Sequence, residues 1–456
     1  MKHLNCLFLF CAAVFISSCS IKSEELGVIT KDSRSYSIPL ETALETLNDF
    51  LASHESEMPQ TKSGSPRRIS SIDIYPPSYS ATKSVDRDST GQNPVAYIVN
   101  FEDNDGFAVL GANDKLPGII AVTEGGYIDP ATLKVYNKAP TRLSDIGGES
   151  SDGDDWSGDN LDSQYYCEED GDYYSAMASG ADDNPIVNGL IRNGTFEPPI
   201  EYGDDTGYPE KFAKCSPLVN LKWHQDAPYD KYCRRGINGK YQACTGCSNT
   251  ALSMMVTANE FPNQLTINNV LLSYPSMKSN PSADNLSDVG KENVALLMGY
   301  IYNNVAKLTG DGYTMITPEQ IRKRLIALGY TNVIKHKNKT FDSGWVKCIS
   351  NMLANGKPVF ISAIPKSIKY AHSWVVDGAT YKKENDIEVE YLLHFNFGWD
   401  GKSNGYFSVN CLNPAKAITY DDTSLDNTKN NYLYVWHFRL LTYDIPAGNI
   451  SKSVNF

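Results

Sequence analysis

Ala243-Cys244-Thr245-Gly246-Cys247-Ser248-Asn249-Thr250-Ala251 places a cysteine directly before residues that recur at helical spacing. His372 follows much later at the start of a strand-like run, and Asn396 lies within Phe395-Asn396-Phe397-Gly398-Trp399. A cysteine, a histidine and an asparagine in this order predict a thiol nucleophile, a general base and a residue that orients the base. The sequence therefore predicts acyl transfer through a thioester, on a fold that brings the three segments together.

The composition is that of a folded protein with one strongly acidic segment. The chain has 456 residues, of which 41% are hydrophobic, and its length predicts two domains. Thirteen aspartates and glutamates, and no lysine or arginine, lie between Leu143 and Pro185. The rest of the chain has 41 acidic and 41 basic residues, so this segment accounts for the net charge of −13. It predicts a flexible linker, and the lack of a basic stripe argues against nucleic acid as a partner.

The N-terminus predicts export. The apolar stretch from Met1 to Ser18 is too short to span a membrane comfortably and has the features of a signal peptide. It ends in Ile16-Ser17-Ser18-Cys19, which resembles the bacterial lipobox and implies lipidation of Cys19 after cleavage. A plain secretory signal with an incidental cysteine is the alternative. We expect a lipoprotein held on a bacterial membrane through Cys19, in the outer membrane or at the cell surface.

The residues before the acidic segment predict a small domain with little chemistry. A helix begins at Pro39, with leucines at helical spacing over 40–51, and a polar stretch from about Ser53 to Gln92 predicts a loop. Short β runs follow at 95–99, 107–110 and 119–122, separated by turn signals. One helix and a small antiparallel sheet are therefore expected.

The residues after the acidic segment predict helices first and strands second. Helices are expected over 294–308, from Thr317 to a stop at Gly329, and over 345–354. The predicted strands are residues 358–363, 373–376, 391–397, 405–409 and 432–438. This order predicts an α+β fold in which helices pack beside an antiparallel sheet.

Cys247 is the candidate nucleophile because a helix N-terminus and a nearby imidazolium favour a thiolate. Its backbone amide can also donate into an oxyanion hole. The Cys244-x-x-Cys247 spacing has other interpretations. A redox pair lacks the βαβ unit that it needs, a zinc site lacks a second pair of ligands, and a structural disulfide remains open. Seven cysteines follow Cys19, an odd number that leaves one thiol over if the others pair, and Cys233 is a candidate partner of Cys244.

The other site residues follow from their positions. His372 enters a strand predicted to be buried, whereas His224 and His394 lack that context. Asn396 is expected to bond to the His372 ring, with Phe397 or Trp399 keeping water off that bond. Gln225 precedes the nucleophile in Trp223-His224-Gln225-Asp226-Ala227-Pro228-Tyr229 and is expected to donate to the oxyanion.

Together these segments resemble the streptopain family of papain-like cysteine peptidases. Thr245-Gly246-Cys247 is similar to the family's nucleophile segment, and Gly356-Lys357-Pro358-Val359 with His372 and Val375-Val376-Asp377-Gly378 to its histidine segment. His394-Phe395-Asn396-Phe397-Gly398-Trp399-Asp400-Gly401 resembles the asparagine segment, and Gln225 the oxyanion glutamine. The resemblance implies a papain-like two-lobed catalytic domain preceded by a small α+β propeptide, to which Tyr97 to Tyr127 is similar.

The chain departs from the family pattern at three places. Phe397 stands where the family usually has a tryptophan, so shielding of the His372–Asn396 pair is expected from Phe397 and Trp399 together. Residues 421–431 replace a glycine-rich loop, which leaves the substrate preference open, and the acidic linker is longer than in the family.

Together with the lipobox at Cys19, the resemblance predicts a membrane-anchored zymogen of a cysteine endopeptidase that acts on proteins or peptides without a metal or cofactor. Its own propeptide is the expected intramolecular inhibitor. The expected organisation is a signal peptide (1–18), a propeptide (19–142), an acidic linker with the processing region (143–199) and a catalytic domain (200–456). The same residues also suit an amidase or a transglutaminase, and a catalytically inactive surface-binding lipoprotein is a further alternative.

Overall fold

The fold is that of a computed structural model, which describes part of the chain. The structure describes residues 38–54, 67–75, 96–112, 117–128, 214–233, 243–305, 314–338, 343–364, 372–384, 387–409 and 436–456. It also describes two-residue strands at 166–167, 172–173, 175–176, 185–186, 307–308 and 421–422. The predicted signal peptide, Cys19 and most of the acidic segment lie outside these residues. Within them, every helix is too short or too polar to cross a bilayer.

Six helices are present in the described residues. They are α1 (Leu40–His54), α2 (Cys247–Asn259), α3 (Tyr274–Met277), α4 (Asp288–Val305), α5 (Pro318–Leu328) and α6 (Ser343–Ala354). The predicted start of α5 is confirmed by a capping box, in which the Thr317 hydroxyl accepts from the Gln320 amide and the Gln320 side chain accepts from the Thr317 amide. Gly329 ends this helix in the left-handed conformation, as the sequence predicts.

The strands alternate with these helices along the chain. They are β1 (Ile69–Tyr75), β2 (Ala96–Phe101), β3 (Phe107–Gly111), β4 (Ile119–Thr123), β5 (Tyr166–Cys167), β6 (Asp172–Tyr173), β7 (Ser175–Ala176), β8 (Pro185–Ile186), β9 (Gln264–Ile267), β10 (Val270–Leu271), β11 (Lys307–Leu308), β12 (Thr314–Ile316), β13 (Thr331–Asn338), β14 (Val359–Ile364), β15 (His372–Glu384), β16 (Ile387–Asn396), β17 (Gly405–Ser408), β18 (Asp421–Asp422), β19 (Trp436–Asp444) and β20 (Ser451–Val454).

The main sheet runs through both halves of the chain. Its ten strands have the order β1-β2-β3-β4-β17-β16-β15-β14-β19-β13, and every pairing is antiparallel. The junction is the β4–β17 pair, in which Val122 lies opposite Tyr406. Ser37–Phe456 form one compact unit, and the α+β fold class predicted from the sequence is confirmed.

Two hydrophobic cores flank this sheet. The larger core packs α2, α4 and α5 around residues such as Leu252, Met255 and Leu297, all fully buried. The smaller core packs Leu47 and Phe50 of α1 against β2–β4 and against Tyr406 of β17. Because Tyr406 belongs to the second half of the chain, the N-terminal helix is bound to the sheet by apolar burial as well as by strand pairing.

The sequence-based boundaries differ from the structure at several places; the strand predicted over 432–438, for example, is β19 (Trp436–Asp444). The prediction of a loop over 53–92 is wrong for residues 69–75, which form β1, because its three isoleucines are diluted by Ser70, Ser71 and Asp73. The helix predicted over 294–308 begins earlier, at Asp288, and ends at Val305.

Candidate active site

Cys247 is the first residue of α2, as the sequence predicts. Gly246 precedes it with φ of 86°, and a Cβ on Gly246 would lie 2.9 Å from Cγ2 of Thr314. Both the backbone angle and this contact require glycine at position 246. The Thr250 amide donates to the Gly246 carbonyl at 3.0 Å and begins the helix. Cys247 therefore lies beside the unpaired amides and the positive end of the helix dipole.

The Cys247 thiol is buried, with 2% of the residue exposed. Burial raises its pKa to about 11, because a thiolate is poorly solvated there, although hydrogen bonds from Ser373 and Ser248 act in the opposite direction. The thiol is consequently neutral at neutral pH in this state of the protein.

His372 is the first residue of β15, also as predicted, and its ring orientation is defined by one carbonyl. Nε2 lies 3.1 Å from the Phe397 carbonyl oxygen, which can only accept, so Nε2 carries the hydrogen. A neutral ring with this tautomer has its lone pair on Nδ1, which makes Nδ1 the proton acceptor. Burial lowers the pKa of His372 to about 3, while the bond to the Phe397 carbonyl partly counteracts the effect. The ring is therefore a neutral base.

Aromatic rings cover the His372 imidazole, including the two predicted to shield it. The Trp399 ring stacks on it at 4.5 Å between centroids, and Phe397 stacks on Trp399 at 5.0 Å. Trp374 lies 5.8 Å from the imidazole at an interplanar angle of 13°. These faces limit the access of water to the ring and restrict its rotation.

Asn396 lies near His372 in the sheet, but its amide is directed elsewhere. Strand pairing places it opposite Val375. Among the described residues, its Nδ2 donates to the carbonyls of Leu221 at 2.7 Å and Val219 at 3.4 Å, and its Oδ1 accepts from the Gly398 amide at 3.2 Å. The carbonyl of the next residue, Phe397, takes the position beside the His372 ring that we expected for the Asn396 side chain.

Gln225 is connected to the nucleophile segment through the main chain. The Thr245 amide donates to the Gln225 carbonyl at 2.9 Å, two residues before Cys247, and Gln225 is 6% exposed. The amide of Leu218, earlier in the same segment, donates to the Asp377 carbonyl at 2.9 Å. The segment that carries the predicted oxyanion donor is thus bound both to β15 and to the start of α2.

Gln225→Ala is expected to lower kcat by roughly 10²–10³, the usual loss for one oxyanion donor, with little change in KM. Steady-state hydrolysis of a peptide substrate by the processed enzyme measures both constants. An unchanged kcat with a raised KM would instead make Gln225 a substrate-binding residue.

Two serines adjacent to the predicted catalytic residues were missed from the sequence. Ser248 follows Cys247, Ser373 follows His372, and their hydroxyl oxygens lie 2.9 Å apart. Each residue is 1% exposed. This bond joins the first turn of α2 to the start of β15, and the shared position directly after each catalytic candidate was the available signal.

A second missed feature is a buried charge triad, formed by Glu124, His394 and Asp377. His394 Nδ1 lies 2.6 Å from Asp377 Oδ1, and Nε2 lies 3.1 Å from Glu124 Oε1. The three side chains are at most 3% exposed. Burial opposes a charged ring, but Asp377 and Glu124 raise the pKa of His394 to about 10. A protonated His394 donates to both carboxylates and so connects the end of β4 to β15 and β16.

Cys233, Cys244 and Cys247 are free thiols. Cys233 and Cys244, for which a disulfide was considered, are both buried thiols. No cluster of three or more metal-binding side chains occurs in the part of the chain that the structure describes.

A cysteine at a helix N-terminus and a histidine of fixed tautomer, on elements joined by the Ser248–Ser373 bond, are the groups that thiol-dependent acyl transfer requires. Residues 223–407, which include all the predicted catalytic residues, match the model of the Peptidase C10 family. The predicted resemblance to the streptopain family is confirmed by this match, which covers residues 223–407 of the chain.

Known relatives share parts of the sequence. The thiol protease/hemagglutinin PrtT of Porphyromonas gingivalis is 33% identical over 84 residues, which are 18% of this chain and 8% of that protein. Streptopain of Streptococcus pyogenes is 23% identical over 210 residues, 39% of this chain and 48% of that protein. The chain thus spans about half, or less, of the length of the curated relatives that it matches.

Two solved structures from Prevotella intermedia match parts of this chain. A prointerpain A fragment has a TM-score of 0.43 and 16% identity, and the match covers 78% of this chain and 98% of that one. The active interpain A cysteine protease has a TM-score of 0.39 and 21% identity, and the match covers 52% of this chain and 97% of that one.

Proposed function

We propose that the chain is the exported precursor of a cysteine endopeptidase that cleaves proteins or peptides through a thioester. The observation that carries the proposal is the His372 tautomer. The Phe397 carbonyl fixes the hydrogen on Nε2 and leaves Nδ1 as the base, while the Ser248–Ser373 bond joins the His372 strand to the Cys247 helix.

In the proposed reaction, Nδ1 of His372 removes the Cys247 proton and the sulfur attacks the substrate carbonyl. The Cys247 amide and the Gln225 side chain stabilise the oxyanion. His372 then protonates the leaving amine as the C–N bond breaks, and a thioester remains. His372 next removes a proton from water, the hydroxide adds to the thioester, and the thiolate leaves as the acid product forms.

The N-terminal region, residues 38–128, is proposed to be the inhibitory propeptide. It is bound to the rest of the chain by the β4–β17 pairing, by the Glu124–His394 contact and by a 2.7 Å hydrogen bond between His54 Nε2 and the Thr380 hydroxyl. With this region bound, the Cys247 thiol and the His372 ring are both buried and neutral. Such a pair lacks the thiolate–imidazolium state that makes a cysteine reactive, which suits a latent precursor.

The cut that activates the precursor is proposed to fall within residues 143–214, after the N-terminal region and before the catalytic residues. That segment is acidic and poor in large apolar residues, and sequences of this kind are readily cleaved. Cleavage there would also release the enzyme from the lipid proposed at Cys19.

Casein hydrolysis by the processed protein, blocked by an epoxide thiol inhibitor, tests the proposed activity. N-terminal sequencing of the active form locates the cut, which we expect between residues 143 and 214. The proposed peptidase function would be contradicted if pure, processed protein left casein intact or transferred acyl groups only to added amines. An active form that begins before Tyr97 would contradict the propeptide role.

Glu124→Gln is expected to speed processing of the precursor. Removing one partner of a buried ion pair costs about 3–5 kcal/mol, and here that cost falls on the contact between the two regions. Conversion of precursor to the shorter form, followed on gels, measures the effect, with exposed Glu102→Gln as the matched control. Wild-type processing kinetics together with an unchanged melting temperature would contradict it.

The same contact predicts a pH dependence of precursor stability. The folded pKa of His394, about 10, lies above the value of about 6.5 for an unfolded histidine. A raised pKa stabilises the folded state fully below about pH 6.5, and this contribution is lost as the pH rises through 10. The drop in melting temperature towards pH 10 should be smaller in Glu124→Gln than in the wild type.

A further inference from the structure

The Ser248 and Ser373 hydroxyls are hydrogen-bonded to each other beside the proposed nucleophile. Their oxygens lie 2.9 Å apart, and Ser248 Oγ also donates to the Ile316 carbonyl at 3.3 Å. Both serines hydrogen bond with Cys247 through side chain and backbone. Because both residues are 1% exposed, water does not readily replace either hydroxyl.

The two hydroxyl hydrogens have more acceptors than they can satisfy at once. One hydrogen is used between the two serines, and the other can go to the Ile316 carbonyl or to Cys247 Sγ. A neutral thiol is a weak acceptor, so the carbonyl is preferred while Cys247 is protonated. A thiolate is a strong acceptor, because hydrogen bonds to charged groups are about twice as strong as neutral ones.

We propose that Ser248 and Ser373 are a positioning pair whose hydroxyls rotate towards the sulfur when Cys247 loses its proton. In the thiol state, Ser373 donates to Ser248, and Ser248 donates to Ile316. In the thiolate state, Ser248 donates to Ser373, and Ser373 donates to Sγ. The Cys247 proton goes to Nδ1 of His372, and neither serine loses its own. This role rests on the proposed function.

The hydrogen bonds of the pair explain why the two hydroxyls rotate at a low cost in free energy. The bond given up, to the Ile316 carbonyl, is longer at 3.3 Å than the serine–serine bond at 2.9 Å, which persists in both states. The same bond joins the first turn of α2, which begins at Cys247, to the start of β15, which begins at His372. The bonds from both serines lower the Cys247 pKa, against burial, which raises it. His372 is the titratable group that shares the site.

The test is the pH dependence of Cys247 alkylation by iodoacetamide, followed by mass spectrometry on the full chain. Ser248→Ala and Ser373→Ala are each expected to move the midpoint upwards by about one pH unit, a tenfold lower thiolate fraction at a given pH. The double variant should add little, because the two hydroxyls act together. Ser253→Ala is the matched control, since Ser253 is buried on the same helix and its hydroxyl donates to Asn249.

Ser373→Thr, which keeps a hydroxyl, should restore the wild-type midpoint. Variants that melt at a lower temperature but keep the wild-type midpoint would show a purely structural clamp and overturn the proposal. Alkylation does not require peptide hydrolysis, so the two proposals fail separately. If the midpoints shift in a protein that leaves casein intact, the positioning role of Ser248 and Ser373 is supported and the proposed peptidase function is contradicted.

Discussion

Cys247→Ala is expected to lower kcat by roughly 10⁴-fold or more in the processed protein, while Cys244→Ala retains activity. Cys247 alone of the two stands at the first position of α2, where helix amides and the two serine hydroxyls surround the sulfur. Cys244 lies on the other side of Gly246, and its carbonyl accepts from the Thr314 hydroxyl at 2.6 Å. Peptide hydrolysis at neutral pH, normalised to folded protein, measures the difference.

The Cys244 variant is the matched control because both cysteines are buried and lie in the same segment. If processing is autocatalytic, the Cys247 variant should also accumulate the full-length precursor, so its activity must be measured after cleavage by an added protease. Comparable turnover in processed Cys247→Ala and wild type would reject Cys247 as the nucleophile.

His372→Ala is expected to cause a loss of kcat similar to that of Cys247→Ala, whereas Asn396→Ala should keep measurable turnover. Removing the imidazole removes the proposed general base. Removing the Asn396 amide leaves the Phe397 carbonyl on Nε2 of His372, so the tautomer survives. The main effect of Asn396→Ala should be a less rigid segment at Val219 and Leu221, because the Asn396 amide donates to both of their carbonyls.

The kcat values of the two variants, measured side by side on one peptide, separate the roles. An Asn396→Ala enzyme as inactive as His372→Ala would mean that Asn396 holds the imidazole during catalysis, in a state different from the one described. An active His372→Ala enzyme would require another base.

Local signals predicted much of the fold. Thr317, Pro318 and Gly329 carry the capping chemistry of α5 in the sequence itself, and Gly246 marks the start of α2 because no other residue fits there. β1 escaped prediction because its alternation is weak and polar residues surround it. Its place in the sheet depends on pairing with β2 rather than on its own residues.

The features of the candidate site likewise divide into those with a local sequence signal and those that depend on distant contacts. Cys247 and His372 could be predicted as candidates because each has a local context, a helix start and a strand start. The direction of the Asn396 amide depends on carbonyls about 175 positions earlier in the chain, at Val219 and Leu221, which no local pattern reports. The Glu124–His394 contact likewise joins two strands that are distant in sequence. Such contacts are fixed by strand order and register.

The β4–β17 pair covers a strand edge that activation would expose in the mature enzyme. If residues 38–128 leave after processing, β17 becomes an edge strand whose backbone amides and carbonyls on one side lack partners. Its four residues, Gly405-Tyr406-Phe407-Ser408, carry no charge that would discourage another strand from adding there. Departure of α1 also uncovers Tyr406, which Phe50 and His54 contact in the precursor. A released enzyme should therefore self-associate more readily than its precursor, and aggregation should shorten its working lifetime.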